Sequence, residues 1–445
     1  MPLRVVKDES ASETAGTGEG LLTKHPLKLV ATPSRVVIRP FHLGWQASGA
    51  SNSRGGRLVA DILALPEETV HAEYQAILED FSERHWQTER VFDERVNEVA
   101  ETVRLPKDIS DERRRLIGAY FCHEYSYQAA ALMNPSVVEH PDQSGLTRGA
   151  VRFVMSLRAV GEGHISSVAF REGIVEPDGS FDLWPQPNVA TAASLVDMTQ
   201  TQSDSEVSVQ RHPESTLSGT VIFPMTEQQR GGLEDLRLVR FDHGDGDLEW
   251  IGTYTAYNGR EIRSELMRTR DFRNFTLGPI EGRAGRNKGM ALFPETLGGS
   301  YYMLGRQDGK NLYLLSSDRI DRWDDDGVLL LEPKFPWEFI QLGNCGSPIL
   351  TDHGWLVLTH GVGAMRKYSI GAILLDRHIP SRVLARSQRP LLSPKDSDRE
   401  GYVPNVVYTC GTMRVGETLF IPYGISDSAV GFASVGIDAL IASLG

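Results

Sequence analysis

Two glycines followed by two carboxylates mark the first stretch of this 445-residue chain that could do chemistry: Gly231-Gly232-Leu233-Glu234-Asp235-Leu236-Arg237-Leu238-Val239. Glycine lets a backbone approach closely at a loop, and Leu238 to Phe241 predicts the start of a strand. A carboxyl at the mouth of a strand, with an arginine to orient its neighbour, suits general acid work. The same residues also fit a surface turn closed by a Glu–Arg ion pair. A second group is basic. Lys288 stands just before the apolar run Met290 to Phe293, Arg306 ends Tyr302-Met303-Leu304-Gly305, and His360 ends Leu356-Val357-Leu358-Thr359. Taken singly, Lys288 reads as a snorkelling side chain, Arg306 as the partner of a nearby Asp, and His360 as a satisfied core histidine. Converging on one small volume, the three donors would make an anion site best suited to phosphate. His360 is expected to contribute most as the imidazolium, so that anion binding weakens as pH rises above its pKa.

Composition narrows the partners. The net charge of −13 argues against nucleic acid, since phosphate backbones need a basic surface. It leaves room for a local basic pocket. No apolar run approaches bilayer length. Met1 to Leu22 is polar, lacks the apolar centre of a signal peptide, and reads as the flexible tail of a cytoplasmic protein. Cys122, Cys345 and Cys410 are far apart and fit neither a disulfide framework nor a zinc spacing. Asp324-Asp325-Asp326 lacks the alternating ligands of a calcium loop. His123-Glu124 and Glu139-His140 have no second histidine at metal spacing. No metal and no organic cofactor is expected.

The elements that must position these residues fall into two textures. Gly44 to Gly56 reads as a Gly/Ser-rich loop. Pro66-Glu67-Glu68-Thr69 reads as a helix start, and Val70, Tyr74, Ile77, Leu78 and Phe81 follow at helical spacing. Helix is expected again from Gln87 to Val103 and, after a cap at Ser110, from Glu112 to Met133. Beyond Asn134-Pro135 the texture is β throughout. Strands are expected at Val151–Leu157, Ile165–Phe170, Leu238–Phe241, Leu248–Tyr257, Tyr301–Leu304, Leu312–Leu315, Trp355–Thr359, Ile370–Leu375 and Thr418–Pro422. Thr269 to Phe275 resembles Ser317 to Trp323 about one propeller blade later, and the β region has room for five large blades. The expected domains are a tail (1–22), an extension largely helical from about 60 (23–133), and an all-β five-bladed β-propeller (134–445). Site residues in such a fold come from several blades and are scattered in sequence. The helical segment is expected to make subunit contacts or to pack on the propeller's side.

Further motifs recur in a definite order: Thr253-Tyr254-Thr255-Ala256-Tyr257, Asn287-Lys288-Gly289-Met290-Ala291-Leu292-Phe293-Pro294, Ser317-Asp318 with Trp323, Gly354 to Gly361, Leu374-Leu375-Asp376, Gly401 to Tyr408, and Pro422-Tyr423-Gly424 with Asp427. With Gly232 to Arg237, this series resembles glycoside hydrolase family 130, the β-mannoside phosphorylases and mannosidases. The resemblance covers about residues 130 to 440. It implies a five-bladed β-propeller with an N-terminal helical extension, as in the longer members. It implies Asp235 as the general acid and Glu234 as an orienting residue. Asn134, Arg158 and Ser166, with Arg237, Tyr254 and Asp427, would lie around the sugar. Lys288, Arg306 and His360 match positions that hold inorganic phosphate, and Tyr368 would add a hydroxyl. Two positions depart from the family: Leu236 stands where proline is usual, and Gly289 where an acid more often follows the lysine.

An inverting hydrolase needs two carboxyls, one as acid and one as base. A phosphorylase needs only the acid, because phosphate is already an anionic nucleophile, together with a cationic pocket to hold it. One strong carboxylate and three basic candidates favour inverting phosphorolysis of a β-mannosyl oligosaccharide to α-mannose 1-phosphate, with phosphate as co-substrate. The alternatives are an inverting β-mannosidase, with Glu261, Glu265 or Glu295 as base, and a non-catalytic sugar-binding propeller that would not need Asp235. A cytoplasmic homo-oligomer is expected.

Overall fold

Antiparallel strands make up nearly all the regular structure after residue 121, and four helices most of what precedes it. The computed structural model describes residues 18–43, 53–196 and 206–445. The described residues divide into two compact units, one within 33–127 and 187–192, the other within 18–32, 128–186 and 193–445.

The smaller unit holds helices α1 (Arg54–Leu63), α2 (Glu67–Phe81), α3 (Thr88–Thr102) and α4 (Asp111–Tyr120). The strands Val36–Pro40 and Cys122–Ser126 pair beside them. Ser53 and Ser110 cap α1 and α4, each accepting a backbone N–H in the first turn. Val59, Ile62, Val70, Val96, Val99, Leu116 and Ile117 form the core. Arg113 is buried, and its guanidinium donates to the carbonyls of Ile62 (2.6 Å) and Leu65 (2.8 Å) and to Glu67 Oε1 (2.7 Å). It thereby ties down carbonyls at and just beyond the C-terminal end of α1.

The larger unit is a series of antiparallel meanders. Ala131–Glu139, Val151–Val160 and Ser166–Val175 pair in order. So do Gly232–Asp242, Leu248–Tyr257, Ile262–Thr269 and Asn274–Pro279. Two further meanders run through Tyr301–Gly305 with Leu312–Ser317, and through Gly354–Val362 with Tyr368–Leu375. Thr418–Ile425 pairs with Ala429–Gly436, which takes Thr23–Val30 as its other neighbour. Gly354–Val362 is buried at every position, as expected of a short apolar run covered on both faces. Both repeat-like turns bury an aromatic, Phe272 in one and Trp323 in the other.

Several expectations are corrected. The helix expected from Glu112 is α4, which ends at Tyr120, not near Met133. Cys122–Ser126 and Ala131–Glu139 are strands, and the run Ala131 to Met133 misleads because a buried strand lacks the alternation that separates it from a buried helix. The contacts divide at 127/128, not 133/134, and Thr23–Val30 belongs to the larger unit through its pairing with the last strand. Of the expected tail, residues 1–17 lie outside the described residues, while Leu21 and Leu22 pack against a buried cluster. Of the expected loop at 44–56, residues 44–52 lie outside the described residues, and Arg54 to Gly56 already belong to α1. No described helix is long and apolar enough to cross a membrane.

Candidate active site

The acidic stretch is not a loop ahead of a strand. Gly232–Asp242 is one strand, and its register against Leu248–Tyr257 slips between Glu234 and Arg237. Asp235 sits on this bulge with φ +56°. Bulges re-aim side chains, and aspartate is among the few residues that tolerate left-handed backbone. Asn134 is placed in the same way, at a register slip between Met133 and Ser136 with φ +48°. The two re-aimed side chains meet: Asn134 Nδ2 donates to Asp235 Oδ1 at 2.7 Å.

Arg158 fixes this corner. Its guanidinium donates to Ser166 Oγ (2.8 Å), Asp235 Oδ1 (3.2 Å) and Glu234 Oε1 (2.7 Å). Ser166 is brought there by its bridge to Gly232. Arg237 donates to the Asp235 carbonyl (3.1 Å) and to the Tyr408 hydroxyl. Burial alone would push the Asp235 carboxyl up, but Arg158 first, then Arg237, the Asn134 amide and Lys288, together hold it below its ordinary value. Glu234 goes the other way, raised chiefly by burial.

A cavity of about 210 Å³ opens beside Asp235. Of the residues singled out in the sequence, Asn134, Arg158, Asp235, Arg237 and Asp427 line it, as do Lys288, Arg306, His360 and Tyr368. Ser166 and Glu234 do not; they hold Arg158. Tyr254 is not at the cavity either. It is buried, with its hydroxyl donating to Glu265 Oε2 (2.5 Å) and receiving the Gln229 amide (3.0 Å). Glu265, a candidate hydrolytic base, is consumed by that contact and by Arg263. Glu261 and Glu295, the other candidate bases, do not line the cavity. Thr255, Gln341, Arg366 and Tyr408 do line it and were not singled out as site residues.

The basic side of the cavity has two features the sequence did not disclose. Among the described residues, neither Lys288 nor Arg306 has an ion-pair partner, and burial holds the Arg306 guanidinium below its ordinary pKa. Gly289, at φ +77°, and Gly343 leave room for this cation. A Cβ at Gly289 would stand 3.3 Å from Arg306 Nη2 and 3.6 Å from Arg237 Nη2. One at Gly343 would collide with the His360 ring and stand 2.7 Å from Arg306 Cδ. His360, in contrast, is not a cation. Its Nδ1 faces the Asn344 carbonyl (3.0 Å) and its Nε2 the Gln341 amide (3.1 Å). The first contact needs Nδ1–H, and the second is satisfied when Nε2 accepts. Burial, then the nearby Arg306 charge, hold its pKa well below the usual histidine value. The expected role of protonated His360, and the pH dependence attached to it, are therefore corrected: its ring is a neutral wall stacked on Tyr368 (centroids 6.0 Å).

Asp427 is presented by a hairpin tip in which Ser426 (φ +48°) and Asp427 (φ +49°) are both left-handed. Burial, and then the Asp235 charge, raise its pKa from 3.8 to about 6. The folded protein thus holds this proton more tightly than the unfolded chain between about pH 4 and 6. The contribution to stability falls as pH rises through that window and stays unfavourable above it. The expected result is that Asp427→Asn, which keeps the shape and tolerates the backbone, stabilises the fold at pH 8 by about 3 kcal/mol and changes little at pH 4. Thermal melts of both proteins at the two pH values check it.

Comparison with known proteins bears on this arrangement. The family profile described as beta-1,4-mannooligosaccharide phosphorylase, Glyco_hydro_130, matches residues 189–444. A 1,2-beta-oligomannan phosphorylase of Thermoanaerobacter sp. (strain X514) is 33% identical over 222 residues, which are 49% of this chain and 72% of that protein. A beta-1,2-mannobiose phosphorylase of Listeria innocua is 30% identical over 231 residues, 50% of this chain and 63% of that protein. The solved structure of the Listeria innocua beta-1,2-mannobiose phosphorylase with beta-1,2-mannobiose aligns with a TM-score of 0.51 at 22% identity, covering 71% of this chain and 92% of that one. At that identity the likeness concerns the mostly-β, propeller-like fold alone.

Proposed function

Because the chain belongs to glycoside hydrolase family 130, we propose that it cleaves β-mannosides by inverting phosphorolysis, with Asp235 as general acid and phosphate as co-substrate. The observation that carries this reading is the pair Lys288 and Arg306, which line the same cavity as Asp235 with no ion-pair partner among the described residues. Arg306 is a half-buried cation without a counter-ion, which is costly, and Lys288, though exposed, adds its charge to the same cavity. A phosphate dianion supplies that counter-charge and gains charge-assisted hydrogen bonds in return. Arg237 and Arg366 add positive charge, and Tyr368 offers a hydroxyl. Asn134, Arg158 and Asp427 are assigned to the sugar.

In the reaction, a phosphate oxygen attacks the anomeric carbon from the face opposite the leaving oxygen. The C–O bond to the acceptor breaks, and the leaving oxygen takes a proton that originates on Asp235, directly or through a sugar hydroxyl. The product is α-mannose 1-phosphate. The cluster of cations keeps Asp235 ionised before phosphate arrives, because Arg158, Arg237 and Lys288 all favour its charge. A phosphate dianion beside Lys288 and Arg306 offsets that field and lets Asp235 take up the proton it must later give.

For the fold, we read the meanders of the larger unit as five blades, with Thr23–Val30 completing the last from the N-terminal side. Helices α1 to α4 are read as an extension added to this family core.

One observation favours a second reading. Asp427 is a second carboxyl on the cavity, and an inverting hydrolase needs a base. The test is consumption of β-1,2- and β-1,4-mannobiose with and without phosphate. Phosphorolysis predicts consumption only with phosphate; hydrolysis predicts equal rates.

A further inference from the structure

Two hairpin turns of the larger unit match residue for residue. Gly161 to Ile165 joins Val151–Val160 to Ser166–Val175, and Gly363 to Lys367 joins Gly354–Val362 to Tyr368–Leu375. Each opens on a glycine with nearly the same backbone, φ −99°, ψ −162° at Gly161 and φ −102°, ψ −166° at Gly363. Each closes with the glycine N–H donating to the carbonyl four residues on, at 3.0 Å in both. Each carries two successive left-handed residues, Gly163 and His164 in one, Met365 and Arg366 in the other. Arg366 lines the cavity. His164 holds the same position in its own turn, two residues before the Ser166 that anchors Arg158.

His164 does not stand alone. Its Nδ1 shares a hydrogen bond with the Tyr402 hydroxyl (3.1 Å), and the two ring centroids lie 5.8 Å apart. Tyr402 is 50% exposed. Its backbone N–H donates to Ser428 Oγ (2.5 Å), beside Asp427, and the next residue, Val403, donates to the Ser426 carbonyl (3.0 Å). A large aromatic ring is thus tied by its backbone to the hairpin that presents Asp427, and by its hydroxyl to the turn before Ser166. It is exposed where a single tyrosine would gain more from burial.

Resting on the reading that the cavity takes a β-mannoside, we propose that Tyr402, braced by His164, is the platform on which the saccharide beyond the cleaved bond stacks. The cavity itself, about 210 Å³, falls below the roughly 300 Å³ at which pockets for drug-sized ligands begin, so a second sugar ring must extend past its rim. A pyranose offers an apolar C–H face and a hydroxyl edge. The Tyr402 ring matches the first, and its hydroxyl with the His164 imidazole the second.

The test uses the full chain carrying Asp235→Asn, so that ligands bind without turnover, and reads β-mannobiose, β-mannotriose and inorganic phosphate by calorimetry. Adding Tyr402→Ala is expected to weaken both saccharides about five- to tenfold, and Tyr402→Phe, which keeps the stacking face but loses the hydroxyl that meets His164 and the sugar edge, about two- to threefold, with phosphate affinity unchanged throughout. His164→Ala, which frees the ring to tilt, is expected to weaken the saccharides about two- to threefold. Saccharide affinities unchanged by Tyr402→Ala would overturn the platform while leaving the proposed function standing. A similar loss of phosphate affinity in that variant would also overturn it, since the ring would then be supporting the whole site. If the parent binds phosphate but no mannoside, the functional reading falls and the platform with it.

Discussion

Asp235→Asn is expected to keep its fold and lose at least about a hundredfold in turnover, the scale of a general acid. The substitution is clean for a structural reason. Asp235 lies at φ +56° on a bulge, and asparagine tolerates left-handed backbone while alanine does not. Its amide oxygen can still receive the Asn134 amide, now 2.7 Å from Oδ1. What disappears is the transferable proton and the counter-charge to Arg158 and Arg237. Steady-state turnover on a β-mannobiose, beside a thermal melt of the same sample, separates lost chemistry from lost structure. Near-normal turnover would remove Asp235 from the mechanism.

The second large effect concerns the anion. Replacing Arg306 by alanine is expected to raise the phosphate concentration needed for half-maximal rate by about ten- to a hundredfold, since a hydrogen bond to a charged group is worth roughly 1.5–3 kcal/mol. The KM for the mannoside should move far less. Arg306 also has no hydrogen-bonded acceptor among the described residues, so its removal orphans nothing within the protein, and the loss falls on the ligand. Phosphate and mannoside saturation curves for the variant check the split. An equal rise in both would place Arg306 in the general architecture of the cavity instead.

The sequence carried the mostly-β, propeller-like character of the fold and most cavity residues, because both leave local marks. Leu248–Tyr257 was legible to the residue as a buried run between turn signals. The bulge at Asp235 was not, although a trace of it exists. Leu233, Leu236 and Leu238 are all buried, and their spacing of three and then two residues is what one inserted residue does to a strand's alternation. The charge state of His360 had no such trace. It follows from a carbonyl at Asn344, an amide at Gln341 and a guanidinium at Arg306, which meet only in the folded sheet. Tyr254 misled for a related reason. Its motif was right, but its partner Glu265, eleven residues on, faces it across adjacent strands and draws the hydroxyl into the core. Gln341 and Tyr408 have neither charge nor periodicity to set them apart, so only the folded sheet reveals them at the cavity.

In the proposed reaction phosphate, not water, receives the mannosyl group. The most direct measurement is phosphorus and proton NMR of a β-mannobiose reaction in phosphate buffer, followed from the first turnovers, with a parallel reaction in phosphate-free buffer. Phosphorolysis yields α-mannose 1-phosphate, formed in equal amount to the released saccharide, and no detectable conversion without phosphate. Free mannose accumulating at the same rate in both reactions, with no mannose 1-phosphate, would contradict it.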